Sequence, residues 1–360
     1  MDKVKENLEL NIREINDGKI ILKSYPKRMI ATLSTRCNSR CIMCEVVKKQ
    51  WDMPETTMKE IESLLPYMQS VNWQGGEVFL LENFEKLFIE SLKNEHLHQT
   101  IVTNGMLLND KWIDLLTEAN IELTISVDGL DKEIYEKIRY GSKFEVLINN
   151  LNRLNDIRKK KNSRLSLKMH TVVMRSNYKF ADKFIDFAKK YNFDAVYMMP
   201  IWGGQEIEEN IYIGNNREII SELSSKIKTA EQKSRHSGIN FFHSLPVIKE
   251  EENVTQKKEC VEEKIENKNG GECAEKKIVE TEHKIFCYLP WQQLNIDPGG
   301  EVRPGCLCSK PIGNIEQDSI LNIWNSLNMQ EYRKRVLGNP QNWCNNDCLN
   351  GSIPEDLRRI

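Results

Sequence analysis

Ser34-Thr35-Arg36-Cys37-Asn38-Ser39-Arg40-Cys41-Ile42-Met43-Cys44 is the stretch on which the reading of the chain turns. It carries three cysteines, Cys37, Cys41 and Cys44, in a C-x3-C-x2-C spacing. They follow directly on the strand-like run Met29-Ile30-Ala31-Thr32-Leu33. Three thiolates on one short loop cannot close a structural zinc site, which takes four ligands. A four-iron cubane normally takes four thiolates as well, so three leave one iron open to a further ligand. That is the reading adopted. Its alternative is a zinc knuckle with a distant fourth ligand.

The 360 residues are enough for one large domain and a small one. A formal charge of -2 and a pI near 6.4 give no basic field, so bulk nucleic-acid binding is not favoured. Ten cysteines without a secretory signal do not suggest a disulfide framework. The N-terminus lacks an apolar h-region, and no apolar run reaches the roughly 18 residues of a membrane span. A reducing cytoplasmic setting with no membrane partner is expected.

Along the chain, residues 1–28 are mostly polar and read as a leading segment. Strand-like runs then fall at 30–33, 71–74, 100–103, 122–127, 165–174 and 195–199, with helix-like stretches between them. Thr57 with Glu60 has the form of a capping box, Asn109 and Asp131 suit N-caps, and Asn177 is placed to open a helix running to Lys190. Six such alternations predict a parallel sheet with helical crossovers. From about Gln205 the pattern decays, with one further helix expected over 219–230. Residues 249–284 are charge-dense and read as a linker or insertion. Pro298-Gly299-Gly300 between apolar residues reads as a hairpin turn.

The three cysteines after a strand resemble the signature of the radical S-adenosylmethionine (SAM) superfamily. The resemblance runs over about 29–351 and implies an α/β fold, a partial (βα)6 TIM barrel. It implies that Cys37, Cys41 and Cys44 hold a 4Fe-4S cluster. The amino and carboxylate groups of SAM would chelate its open iron. Reductive cleavage of SAM would give a 5′-deoxyadenosyl radical that takes a hydrogen atom from the substrate. An electron donor such as flavodoxin or ferredoxin is implied as a partner.

Further motifs fit that frame. Gln74-Gly75-Gly76-Glu77 follows the second strand-like run; two glycines permit close backbone approach, and a carboxylate can accept from an ammonium group. The resemblance gives Gly75, Gly76 and Glu77 to the SAM amino group, although Val78 stands where the family has proline. Thr103-Asn104-Gly105 and Ser126-Val127-Asp128-Gly129 fall at strand ends, where barrel sites lie, and are also ordinary turn sequences. The resemblance points to Ser126 and Arg139 for the SAM carboxylate. Asp128 suits either ribose hydroxyls or turn closure. Arg139 also reads as a surface residue late in its helix. His170 alternates with Lys168 and Val172 on one strand, and Tyr197, Met199 and Trp202 are candidates for a pocket or for the core. No residue stands out as the catalytic acid or base.

A second cysteine group, Cys287, Cys306, Cys308, Cys344 and Cys348, surrounds the hairpin, Ile312-Gly313-Asn314-Ile315 and Leu321-Asn322-Ile323-Trp324-Asn325. This resembles the SPASM/twitch extension of radical SAM enzymes. It implies one auxiliary 4Fe-4S cluster on Cys287, Cys306, Cys344 and Cys348, with Cys308 able to replace Cys306. A four-cysteine zinc site is the alternative. Cys260 and Cys273, in the charged stretch, read as free thiols. The expected division is 1–28 leading segment, 29–204 barrel core, 205–284 helical and charged linker, and 285–360 auxiliary-cluster domain.

The expected function is hydrogen abstraction from a small polar, sugar- or alcohol-like substrate, with the auxiliary cluster assisting oxidation. The alternative is a ribosomal peptide maturase that crosslinks, oxidises or epimerises. Only 28 residues precede the first strand-like run, too few for the peptide-recognition domain some maturases carry. A metal-stabilised binding module without catalysis is the reading from another class, and tRNA modification is disfavoured by the charge.

Overall fold

The alternation of short apolar runs with amphipathic stretches produces strands and helices in turn. The computed structural model describes residues 2–45, 50–201, 207–248, 287–305, 308 and 310–338. Its strands are β1 (Arg28–Thr32), β2 (Arg40–Cys41), β3 (Ser70–Gln74), β4 (His98–Thr103), β5 (Ile121–Ser126), β6 (Arg139–Tyr140), β7 (Ser166–Val172), β8 (Ala195–Met199), β9 (Asn240–His243), β10 (Gln293–Ile296), β11 (Glu301–Arg303) and β12 (Gly313–Asn314). The helices are α1 (Lys3–Asn16), α2 (Glu55–Leu64), α3 (Glu82–Ser91), α4 (Asp110–Glu118), α5 (Lys132–Ile138), α6 (Phe144–Lys160), α7 (Lys183–Lys190), α8 (Arg217–Ser237), α9 (Leu289–Gln292), α10 (Ile320–Trp324) and α11 (Leu327–Gly338).

Ten strands form one sheet in the order β12-β11-β10-β1-β3-β4-β5-β7-β8-β9. Neighbours from β10 through β9 pair in parallel, while β11 and β12 run antiparallel. The six expected strands are β1, β3, β4, β5, β7 and β8, in that spatial order. The fold is therefore the mostly parallel α/β sheet that the pattern implied.

Two further parallel strands extend it. β9 is only four residues long and begins two residues after Gly238, the left-handed end of α8 with φ 72°. So short a run has no periodicity to betray it. β10 is the first strand of the expected hairpin, whose turn places Gly299 and Gly300 at φ 87° and 82°. Its other edge pairs with β1, Arg28 opposite Gln293 and Ile30 opposite Asn295. A long-range parallel pairing of this kind leaves no local signature.

Asn109 and Asp131 cap α4 and α5, their side chains accepting from the backbone N–H of Trp112 and Ile134. Thr57 caps nothing: α2 begins at Glu55 after Pro54, and Thr57 is buried inside the helix. Asn177 does not open α7 either. Its side-chain amide donates to the carbonyls of Asp128 and Val172, and its oxygen accepts from Met174 N–H. Within the leading segment, residues 3–16 form the helix α1.

Strand side chains alternate between two faces. One face packs under the helices: Trp73 of β3 meets Phe84 of α3 edge-on at 5.8 Å, and Phe84 stacks on Trp112 of α4 at 5.7 Å. The other face is half-buried and mixes polar side chains with Ile30, Val102, Val172 and Met199. Asn72, Thr100 and Glu122 share a register row, and Ser126, His170 and Tyr197 share another. The core therefore lies between sheet and helices, and the polar rows stand on the opposite face.

Arg333 ties the C-terminal helix to the start of the chain. Its fully buried guanidinium donates to the carbonyls of Pro290, Ile20 and Trp324 at 2.9, 2.7 and 2.9 Å, and lies 4.6 Å from the Trp324 ring. A hydrogen bond to a charged group contributes roughly 1.5–3 kcal/mol. Arg333→Ala should therefore lower stability by about 3 kcal/mol or more. Arg333→Lys should rescue little, because an ammonium lacks the planar fork. Urea denaturation checks this; a Lys variant as stable as wild type would contradict it.

Candidate active site

The cysteine loop leaves the end of β1 and is held on two sides. On one side the chain returns at residues 51–53. Thr35 N–H donates to Trp51 O at 2.8 Å, Trp51 N–H donates to Thr35 Oγ1 at 2.7 Å, and Ser34 Oγ donates to Asp52 at 2.6 Å. Arg36 pairs with Asp52 through Nε and Nη2, both at 2.9 Å.

On the other side lies Gly75-Gly76-Glu77. Gly76 N–H donates to Ser34 O at 2.7 Å and Glu77 N–H to Arg36 O at 2.8 Å. A Cβ on Gly75 would sit 2.3 Å from Ser34 O, and one on Gly76 2.1 Å from Arg36 O. Neither position admits any side chain. The close approach expected of these glycines is made to the cysteine loop itself.

The Glu77 carboxylate also turns inward and is fully buried. It accepts from Thr103 Oγ1 at 2.8 Å and from Asn104 N–H at 2.9 Å. Both carboxylate oxygens are thus engaged by the protein itself. Glu77 joins the ends of β3 and β4, and Asn104 carries the link onward. Its amide donates to Asn38 Oδ1 at 2.7 Å and faces Cys37 Sγ at 3.8 Å. The Asn-Gly pair thus does more than turn the chain. No local signal separates such an asparagine from an ordinary turn residue.

A third support comes from the end of α5. β2 and β6 form a two-residue antiparallel ribbon with Cys41 opposite Arg139. Ile42 N–H donates to Ile138 O at 3.0 Å, and the Ser39 and Ser142 hydroxyls lie 2.7 Å apart. Arg139 is not a surface residue: it is 7 % exposed. Its Nε pairs with Asp128 Oδ2 at 2.6 Å and its Nη1 faces Cys41 Sγ at 3.7 Å. Asp128 has no exposed surface, and its Oδ1 accepts from Val172 N–H at 2.7 Å. Both of its carboxylate oxygens thus face groups of the protein itself. Burial works against the Arg139 charge, but Asp128, Cys41 and Tyr135 together hold its pKa above the usual value.

Cys37, Cys41 and Cys44 are all partly exposed on this loop. Burial pushes the Cys37 thiol up, and the Cys41 thiol up to about 11. Metal binding displaces such protons. Cys37 Sγ faces the N–H of Ser39 and the amide of Asn104, and Cys41 Sγ faces Arg139. Donors aimed at sulfur suit thiolates that carry a cluster's charge. Among the described residues no three or more His, Cys, Asp or Glu side chains converge as a single ion would require. Thiolates that each hold a different iron do not need to converge on one point.

Above the loop the polar sheet face opens. Ser126 ends β5 with His170 and Tyr197 beside it in register. His170 stacks on Tyr197 with ring centroids 5.4 Å apart; its Nε2 is buried without a hydrogen-bond partner, and burial holds its pKa below the usual value. Tyr197 donates to Ser244 Oγ at 2.9 Å. Lys168 and Glu122 pair at 3.3 Å. Met199 is half-buried at the end of β8, opposite Val172. Asn72 and Glu122 stand on this face outside any motif. Their signal is a polar residue at every second position of otherwise apolar strands.

Of the second cysteine group, Cys287 and Cys308 are half-buried against the main core. Cys306, Cys344 and Cys348 lie outside the described residues, as do Trp202, Cys260 and Cys273. Among the described residues no helix is long and apolar enough to cross a membrane.

Comparison with known proteins adds independent findings. The family described as "Radical SAM superfamily" matches residues 32–188, and "Iron-sulfur cluster-binding domain", SPASM, matches 287–349. A GTP 3′,8-cyclase of Clostridium botulinum is 28 % identical over 215 residues, 56 % of this chain and 66 % of that protein. A cysteine-type anaerobic sulfatase-maturating enzyme of Clostridium novyi is 27 % identical over 194 residues, 48 % of this chain and 50 % of that one. The chain thus spans two thirds or less of these relatives. In fold it resembles Streptococcus suis SuiB bound to S-adenosylmethionine, with TM-score 0.61, 15 % identity and coverage of 91 % of this chain and 71 % of SuiB. It also resembles anSMEcpe with bound AdoMet, with TM-score 0.55, 16 % identity and coverage of 86 % and 82 %.

The buried Glu77 yields a prediction that needs no cofactor. Burial raises its pKa from 4.5 to about 7, equivalent to roughly 3 kcal/mol. Stability that depends on the protonated carboxyl is fully present below pH 4.5 and is lost as pH rises through about 7. Glu77→Gln cannot ionise. Relative to wild type it should gain stability at pH 8, by about 3 kcal/mol at most, and show little difference at pH 5. Denaturant titration of iron-free protein at both pH values checks this. A difference that does not change with pH would contradict it.

Proposed function

The chain belongs to the radical SAM superfamily and carries a C-terminal SPASM iron–sulfur domain, and from that premise we propose that it abstracts hydrogen from a small polar, sugar- or alcohol-like substrate. Membership implies a SAM-binding 4Fe-4S cluster, SAM and auxiliary iron–sulfur ligation. When bound, the cluster and SAM supply reductive cleavage of SAM and hydrogen-atom abstraction.

The chain's own residues divide the remaining tasks. Cys37, Cys41 and Cys44 hold the cluster. The Gly75-Gly76 backbone and Ser126 border SAM. Glu77, Asp128 and Arg139 fix the surrounding backbone and charge. An electron donor such as flavodoxin or ferredoxin delivers the reducing equivalent. On the same reading residues 29–204 carry SAM chemistry, and 285–360 carry the auxiliary cluster on Cys287, Cys306 or Cys308, Cys344 and Cys348.

The observation that carries the substrate class is the polar sheet face beside the loop. Asn72, Thr100, the Lys168–Glu122 pair, Ser126 and His170 stand there on neighbouring strands and offer hydrogen-bonding groups. Such donors and acceptors pair with the groups of a hydroxyl- and amine-rich small molecule. The likeness to GTP 3′,8-cyclases, which their name ties to a nucleotide, agrees with a small polar substrate. A peptide substrate is the second reading, supported by the likeness to a sulfatase-maturating enzyme.

Anaerobically reconstituted protein with reductant and SAM should yield 5′-deoxyadenosine. Cys37→Ala, Cys41→Ala or Cys44→Ala should abolish it, since each thiolate holds one iron. Wild type should bind about eight irons, four per cubane, and the triple variant should keep about half. Undiminished 5′-deoxyadenosine in all three single variants would overturn the assignment. Stoichiometric zinc in place of the second cluster would remove the auxiliary acceptor. Stimulation of 5′-deoxyadenosine release by peptides, and by no small polyol, amino sugar or nucleotide, would favour the second reading.

A further inference from the structure

The Arg139–Asp128 pair has a feature that SAM binding does not require. The guanidinium is divided between two partners: Nε faces Asp128 Oδ2 at 2.6 Å, and Nη1 faces Cys41 Sγ at 3.7 Å. The backbone enforces this, because the β2–β6 ribbon sets Cys41 directly opposite Arg139. Asp128 is in turn fixed by Val172 N–H, and its backbone carbonyl accepts from Asn177. Both charged side chains are at least nine-tenths buried. Screening at such a site is weak, so a single charge acts strongly on its neighbours.

We propose that Arg139 and Asp128 form an opposed charge pair that sets the reduction potential of the cluster on Cys37, Cys41 and Cys44. This rests on the proposed function and concerns this chain's residues, whatever the substrate. A cation with an N–H directed at a cluster thiolate stabilises the reduced, more negative state and raises the potential. An anion behind that cation lowers it. The two residues are positioning residues acting through Cys41, and they act with opposite sign.

That sign difference supplies the test. The measurement is an EPR-monitored redox titration without SAM, following the signal that is lost in Cys41→Ala. Arg139→Gln should shift the midpoint to more negative potential, and Asp128→Asn to more positive potential. Arg139→Lys, which keeps the charge, should lie nearer wild type than Arg139→Gln. If Arg139→Gln fails to hold iron, the Asp128→Asn shift and the Lys variant decide the matter. Unchanged midpoints in iron-loaded variants, or shifts in the same direction for Arg139→Gln and Asp128→Asn, would overturn the proposal. So would a loss of SAM affinity in Arg139→Gln with the SAM-free midpoint unchanged, which would leave Arg139 only a SAM ligand. Failure of the wild-type loop to bind iron would instead overturn the proposed function.

Discussion

Two backbone hydrogen bonds, Gly76 N–H to Ser34 O and Glu77 N–H to Arg36 O, fix the loop on which the site is built. They bring the end of β3 so close to the end of β1 that a Cβ on either glycine would lie within 2.3 Å of a carbonyl oxygen. Glycine is required here by contact with the protein's own chain. Once that contact exists, the Glu77 carboxylate falls beneath β4, and Asn104 reaches back to Asn38 and Cys37. The turn at 138–142 closes the remaining side through the β2–β6 ribbon. The ends of β3 and β4, the turn after α5 and the returning residues 51–53 thus converge on eight residues carrying three thiols. A parallel sheet makes this possible, because all its strand ends of one kind lie along one edge.

The fold was legible because the six principal strands are buried on one face and reach five to seven residues, enough for their apolar rhythm to show. β9 and the β1–β10 pairing were not. The first is too short to carry a period, and the second joins residues more than 260 positions apart with no local trace. The caps at Asn109 and Asp131 could be read because a capping side chain acts within three residues. Thr57 had the same local form, but Pro54 started its helix earlier.

The site was legible at the level of motifs and less so at the level of roles. Cysteine spacing encodes a loop, and the glycines encode a close approach, but neither says what is approached. The resemblance gave Glu77 to a ligand, and Asp128 suited either a ligand or a turn; both are fully buried and bonded inside the protein. Arg139, which the resemblance gave to the SAM carboxylate and which also had the form of a late-helix surface cation, is buried beside Asp128 and Cys41. Such roles depend on which side chain the sheet brings alongside, and that is a property of register.

The central claim is that the three-cysteine loop holds a cluster with one iron open to SAM. Anaerobic EPR of the reduced, iron-loaded protein with and without SAM tests it most directly. The account predicts that SAM alters the signal of the cluster on Cys37, Cys41 and Cys44 and leaves any signal from the C-terminal cysteines in place. Superimposable spectra at saturating SAM, with full iron on the loop, would contradict it.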